Sequence, residues 1–385
     1  MQTTYNIRQN LGEYLLLTSS AAFLLLAPFY DIGAKYGLIF IYLAFLVKYL
    51  SFNKELIAEK FRFRTPLNPG ILLFLSSAIL STVFSIKPYH SQKILFGRYL
   101  LYLLCFIAGI NFIRNNKKER FFEMTFILSG IIVGIGGLTY FLWHSPGRLY
   151  FSWDRNVDIG VFSVMYIPFA FFYLTELKRS RMRTLVWLGF CSITACLLLN
   201  ASRGMLASII LGVFVSLLFF KKSKKGLLSL LIFTCVCVIT AFLLKQTRLF
   251  DLNTWGFRIP YIKEGLKLFK DSPLIGTGLG SFELLNFTHP AVGRQALHVE
   301  NLYVEILGQS GIIGLLVFLF LFWSYFKNIL INLKNLRTYQ LAICASIVSC
   351  LISGIFGSVI IVGVPMPFLF WFIFGVSLSE IPKES

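Results

Sequence analysis

Residues 298–314 read HVENLYVEILGQSGIIG, and the stretch opens on three side chains able to do chemistry, His298, Glu300 and Asn301. An imidazole and a carboxylate two positions apart can share the task of accepting a hydroxyl proton, an effect worth about 10²–10⁴ in rate. Three arginines, Arg98, Arg203 and Arg258, stand upstream beside apolar runs. The planar guanidinium suits bidentate contact with phosphate oxygens. Proton acceptance next to an anion site is the chemistry that these residue types allow, if the surrounding elements bring them together. Four polar residues converging on one pocket favour that reading over isolated solvated side chains.

Composition says what those elements are. Of 385 residues, 57% are apolar and only 14% charged, against about 25% charged in an ordinary soluble domain. Mean hydropathy is +0.75, and apolar runs of membrane-spanning length recur along the chain. The sequence predicts an all-α polytopic membrane protein, a single transmembrane domain over 1–385. The first run has no cleavage site behind it and reads as a retained helix. About twelve spans are placed near 14–30, 35–50, 69–86, 94–113, 121–143, 158–176, 184–199, 204–220, 226–244, 302–326, 338–363 and 365–380. The break between the last two rests on Pro365 and Pro367.

Lysine and arginine test that count, because short cytoplasmic loops collect them. They concentrate at Lys54 to Arg64, Arg114 to Arg120, Lys178 to Arg183, Lys221 to Lys225 and Lys327 to Arg337, on alternate loops. Both termini are therefore expected in the cytoplasm. The net charge of +19 is spread along the inner edge of the bilayer, where anionic lipid lies. That footprint argues against a nucleic-acid partner. All seven cysteines, at 105, 191, 196, 235, 237, 344 and 350, fall inside spans and read as small buried apolar residues.

The long connection, 245–301, is expected on the outer side and is expected to carry part of the active site. Within it, RIPYIKEGLKLFKDSP shows Ile259, Ile262, Leu266 and Phe269 at helical spacing, with lysines filling the other side. This predicts an amphipathic helix over 260–270, either on the membrane surface or as a lid over the bundle. The following LIGTGLGSF lacks the spacing and the preceding strand of a dinucleotide fingerprint. Its glycines are read as turning the chain back toward the membrane. Arg203 lies in a hairpin between two spans of only about 16 residues, short for a core needing about 20. The hairpin is thus drawn toward the bilayer boundary, where a guanidinium needs an anion, water or the lipid headgroups.

From Arg258 to Gly314 the chain resembles the O-antigen ligase and polymerase superfamily of bacterial membrane glycosyltransferases. The resemblance rests on Arg258, the P-L-I-G-x-G-x-G-x-F pattern from Pro273 to Phe282, the H-x-[HE]-N pattern at His298, Glu300 and Asn301, and Gly311 with Gly314. The S-R-G at Ser202 to Gly204 matches the family's upstream arginine hairpin.

The resemblance implies transfer of a glycan en bloc from undecaprenyl diphosphate to an acceptor sugar at the periplasmic face of the bacterial inner membrane. In ligases the acceptor is the lipid A–core oligosaccharide; in polymerases it is another lipid-linked unit of a growing polysaccharide. Membrane lipid and the lipid-linked donor are the implied partners. His298, Glu300 and Asn301 become the catalytic group, and Arg203, Arg258 and Arg98 the diphosphate ligands. The family commonly has histidine where this chain has Glu300, which leaves ligase and polymerase both open. No outward cluster of acids has hard-metal spacing, so no cofactor and a metal-independent reaction are expected. The competing class is a transporter with twelve helices. Matching halves and a central cytoplasmic link would mark one, and the sequence shows neither.

Overall fold

The computed structural model describes residues 2–26, 28, 31–49, 65–113, 115–144, 159–176, 181–200, 202–221, 224–243, 258–285, 298–357, 360–361 and 366–379. The basic loop 51–64, the flanks of the long connection at 244–257 and 286–297, and the Pro365 break lie outside them. All regular structure among the described residues is helical. The helices are α1 (Gln2–Leu26), α2 (Asp31–Tyr49), α3 (Asn68–Val83), α4 (Pro88–Phe112), α5 (Asn116–His144), α6 (Ile159–Glu176) and α7 (Arg181–Asn200). They continue as α8 (Arg203–Ser216), α9 (Lys224–Leu243), α10 (Ile259–Asp271), α11 (Leu302–Ile331), α12 (Thr338–Ser353) and α13 (Met366–Val376). Among the described residues, six helices are long and apolar enough to cross a membrane: α4 to α8 and α11.

Shorter apolar helices complete the bundle, and protein rather than lipid surrounds the shortest. Every residue of α13 from Met366 to Val376 is buried. Its Trp371 stacks on Tyr102 of α4 and Phe74 of α3, with ring centroids 6.1 and 5.8 Å apart. A Cβ on Gly109 would lie 2.1 Å from the Phe372 carbonyl oxygen, and one on Gly375 2.1 Å from that of Phe106. Backbone therefore touches backbone between α4 and α13, the close approach that small residues permit where the hydrophobic effect gives little drive. On the far side, α6 is enclosed by α7, α8 and α12. There the Ser346 hydroxyl donates to the Met165 carbonyl at 2.5 Å.

The sequence reading made 302–326 one continuous span, and the structure breaks it. Gly311 of α11 has φ 65° and ψ −168°. That break frees the carbonyls of Gly308 and Gln309 and the amides of Ile312 and Ile313, which would have paired with one another in an unbroken helix. The glycine-rich segment takes up all four. Thr277 and Gly278 amides donate to the Gly308 and Gln309 carbonyls at 3.0 Å each, while Ile312 and Ile313 donate to Pro273 and Leu274 at 2.9 and 3.2 Å. Ser81 of α3 adds a hydroxyl to the Gln309 carbonyl at 2.6 Å. Such groups left unpaired in a buried site cost about 1–3 kcal/mol each, and more where no water reaches.

This exchange explains the glycines. At Gly276, φ is +80° and a Cβ would lie 2.2 Å from the Gln309 oxygen; at Gly311 a Cβ would lie 2.3 Å from the Leu274 oxygen. The segment does turn back into the bundle, but as the repair of a broken helix. A second difference concerns 338–363. Helix α12 ends at Ser353, and the carbonyl of Gly354, its C-cap, accepts from the Leu302 amide at 2.7 Å instead of continuing the helix.

Gly276→Ala is expected to lower thermal stability in detergent by at least about 1–3 kcal/mol, since strained φ and a backbone clash coincide. Gly97→Ala, where a Cβ meets nothing within 4 Å, should stay within about 0.5 kcal/mol of the parent. Equal unfolding midpoints for the two variants would refute the docking account.

Candidate active site

Three helix N-termini meet at the turn that follows α12. Arg203 is the first residue of α8, Arg258 stands at the cap of α10, and Asn301 caps α11. The Phe356 ring lies between the first two: the Arg258 guanidinium sits 5.8 Å from its centroid. On the α8 side, a Cβ on Gly204 would come within 2.8 Å of the Phe356 Cβ. Only glycine next to Arg203 lets α8 begin against that ring. The neighbouring Ile355 carbonyl accepts from the Asn301 side-chain amide at 3.0 Å. One short turn thereby joins the arginine hairpin, the amphipathic helix and the start of α11. Aligned peptide dipoles and unpaired amides make helix N-termini favourable to anions, and two half-buried guanidiniums add full charges.

The opening polar stretch is set by that cap. Asn301 is extended (φ −158°, ψ 116°), and its side-chain oxygen accepts from the Tyr303 and Val304 amides at 3.0 Å each. Residues 298–300 consequently precede the helix, so His298 and Glu300 are not forced to opposite sides of a regular turn. Both are half-buried, with Val299 buried between them against Phe282 and Leu268. Asn301 was grouped with the catalytic residues in the sequence reading. Its side-chain oxygen is committed to the cap and its side-chain nitrogen to the Ile355 carbonyl.

Helix α10 runs from Ile259 to Asp271 and packs on the first turns of α11 through Gly265 and Leu268, with Ile259 and Leu266 left exposed. It is thus a lid on α11 with a remaining apolar edge. Burial first, and then the Glu300 charge, push the phenol of its Tyr261 up from its ordinary value, so Glu300 lies within electrostatic reach of the first turn of α10.

Arg98, the third arginine of the sequence analysis, has a carboxylate partner of its own. It lies in a π-helical turn of α4, Leu95–Tyr99, and its Nη1 donates to Glu283 Oε1 at 2.7 Å. Glu305, only 3% exposed, accepts from the Gln309 side chain at 3.0 Å and lies within electrostatic reach of Tyr99 and Tyr102. Sequence reasoning missed Phe356, Glu283 and Tyr261. Gly354 and Gly357 beside Phe356 were the signal that a span was ending; Glu283 carried none, because its partner is far away in the chain.

The fold and this site define a helical membrane protein with cations, helix N-termini and an acid gathered at one end of its bundle. A family model described as O-antigen ligase matches residues 185–319. The match supports the O-antigen ligase superfamily, whose resemblance was carried by the motifs, and it spans Arg203, Arg258, His298, Glu300 and Asn301. No curated protein matches the chain.

Asn301→Ala should destabilise the protein by about 1–2 kcal/mol through loss of the cap. Asn301→Asp keeps the acceptor for both amides but loses the donor to Ile355, and should recover only part of that loss. Thermal unfolding in detergent reads both; an alanine variant as stable as the parent would show that the cap carries no energy.

Proposed function

We propose that the chain is an O-antigen ligase-type glycosyltransferase. It moves a glycan en bloc from undecaprenyl diphosphate to a sugar hydroxyl of lipid A–core, at the periplasmic face of the bacterial inner membrane, without a metal ion. The observation that carries this reading is the meeting of Arg203, Arg258 and three helix N-termini around Phe356, with Glu300 beside the same helix start. The twelve apolar stretches of the sequence are read as crossings with both ends in the cytoplasm, and on that reading this end of the bundle is outside.

The acceptor oxygen attacks the anomeric carbon of the donor glycan as the bond from that carbon to the diphosphate oxygen breaks. The electron pair leaves with the diphosphate, so negative charge develops there and little protonation is needed. Fixed cations and amide dipoles already in place stabilise it without reorganisation. Arg203 and Arg258 supply those cations. Glu300 accepts the proton of the attacking hydroxyl, and His298 orients the acceptor or tunes that carboxylate. Asn301 keeps the pair ahead of the helix. Arg98, held by Glu283, stands outside this site.

The test is to give purified protein an undecaprenyl-diphosphate glycan, with and without a lipid A–core acceptor, and to size the products. One glycan added to the core supports a ligase. Lengthening of the lipid-linked glycan without core would make the chain a polymerase instead, and no transfer in either arm would sink the reading. Arg203→Lys, which keeps the charge and loses the fork, should lose most turnover; near-parent turnover would place the diphosphate elsewhere. Glu300→Gln should cost at least about tenfold, with Glu300→His recovering part of it. Among the described residues no group of three His, Cys, Asp or Glu side chains could hold a metal. Turnover is therefore expected to survive a chelator, and a loss that added Mg²⁺ restores would overturn the metal-free step.

A further inference from the structure

We propose that Arg98 and Glu283, with His90 beside them, form a clamp that fixes the 272–285 segment against the break in α11, making Arg98 a positioning residue and not a ligand of the transferred substrate.

The observations begin with where Glu283 lies. It belongs to the 3-10 turn Ser281–Leu285, directly after the glycines that repair α11. Two side chains of α4 face it: Arg98 Nη1 lies 2.7 Å from one oxygen and His90 Nε2 3.5 Å from the other. Arg98 carries the ion pair. The Arg98 and Glu283 side chains are 24% and 20% exposed, so solvent screens the pair less than it would a surface pair.

The first turn of α4 and the connection before it grip the segment again closer to the glycines. Ser91 of α4 donates to the Leu279 carbonyl at 2.8 Å, and the Ile86 amide, ahead of α4, donates to the Thr277 carbonyl at 3.1 Å. A Cβ on Gly280 would lie 2.8 Å from His90 Nε2 and one on Gly278 2.0 Å from Ser85 Oγ. The chain thus passes α4 at a distance that only glycine allows. Arg98 itself sits in the π-helical turn, where one extra residue re-aims side chains and which often marks a functional position.

A substrate diphosphate approaching the Arg98 guanidinium would meet the half-buried Glu283 carboxylate already held on its Nη1, and like charges at such range are unfavourable. The carboxylate offsets the Arg98 charge. What the pair does instead follows from connectivity. Segment 272–285 continues from α10, whose first turn carries Arg258, and it holds the break in α11, whose cap sets His298 and Glu300. Fixing that segment to α4 holds the cation and the proton acceptor in one register across Phe356. Misplacement by about 1 Å can cost about 100-fold in rate, so a clamp remote from the reacting atoms matters to turnover.

Only the turnover arm of the test rests on the glycan-transfer reading. Full-length Arg98→Lys, Arg98→Glu, Glu283→Arg and the double exchange Arg98→Glu/Glu283→Arg are compared with the parent in thermal unfolding and in transfer kinetics. Each reversed single charge is expected to lower the unfolding midpoint and to cut kcat by about tenfold or more, with donor KM held within about threefold. The double exchange should regain most of both losses, because the two residues act as one pair. Arg98→Lys should keep turnover within about threefold, since a single Nη1 contact needs charge and reach but no fork. A double exchange as impaired as Arg98→Glu, or an Arg98→Lys variant that loses most turnover as Arg203→Lys is expected to, would overturn the clamp. If the parent transfers nothing, the functional reading falls alone. The midpoints still decide the clamp: coupled losses and recovery uphold it, and unchanged midpoints in all four variants refute it.

Discussion

Helix α11 is broken at Gly311, and four backbone groups are left without their helical partners. Inside a membrane bundle no water is at hand to satisfy them, so a second chain segment must be held there permanently. Residues 273–278 are that segment. Their own backbone turns twice through conformations that need glycine and comes into contact that leaves no room for a Cβ. The break and the glycine-rich motif are therefore two halves of one hydrogen-bonded unit. Neither is stable without the other, and the arrangement of everything above it follows.

That unit determines where the polar residues go. Upstream of the segment, α10 is drawn onto the first turns of α11, with Gly265 and Leu268 at the contact. Downstream, the 3-10 turn delivers Glu283 to α4. On α11 itself, the cap at Asn301 is the point from which His298 and Glu300 project before regular geometry begins. The turn after α12 then closes the group, since Ile355 binds Asn301 while Phe356 lies between Arg258 and the start of α8. Charge is concentrated where three helix N-termini meet, which is the electrostatic condition for holding an anion.

The rest of the bundle bears the cost of this polar end by packing tightly elsewhere. Helix α13 is short but wholly buried, and it meets α4 with backbone against backbone at Gly109 and Gly375. Helix α8 meets α12 just as closely, where a Cβ on Gly212 would strike Ser349. Such contacts hold α4, α8 and α12 rigidly. Arg98, Arg203 and the 354–356 turn are carried on those same helices, so their relative placement is inherited from the packed middle of the protein.

The helical membrane character, the amphipathic α10 and the start of α11 could all be read from the chain, because each depends on local composition and on residues within one or two turns. Hydropathy marks a span, the Pro260 and Asn301 types mark helix starts, and apolar spacing marks a face. The arginine and H-x-E-N motifs also stood out as a possible site, for their polarity beside apolar runs is a local anomaly. Three things escaped that reading. Gly311 stood as a position of a motif, Phe356 lay inside the span placed at 338–363, and Glu283 carried no signal at all. Each takes its role from a partner between 37 and about 185 positions away, which no local pattern encodes. Sequence determined which segments are helices and which residues are able to react. Tertiary structure decided that Arg258 meets the Phe356 ring and that Arg98 pairs with Glu283, because such pairing depends on distance in space and is blind to distance along the chain.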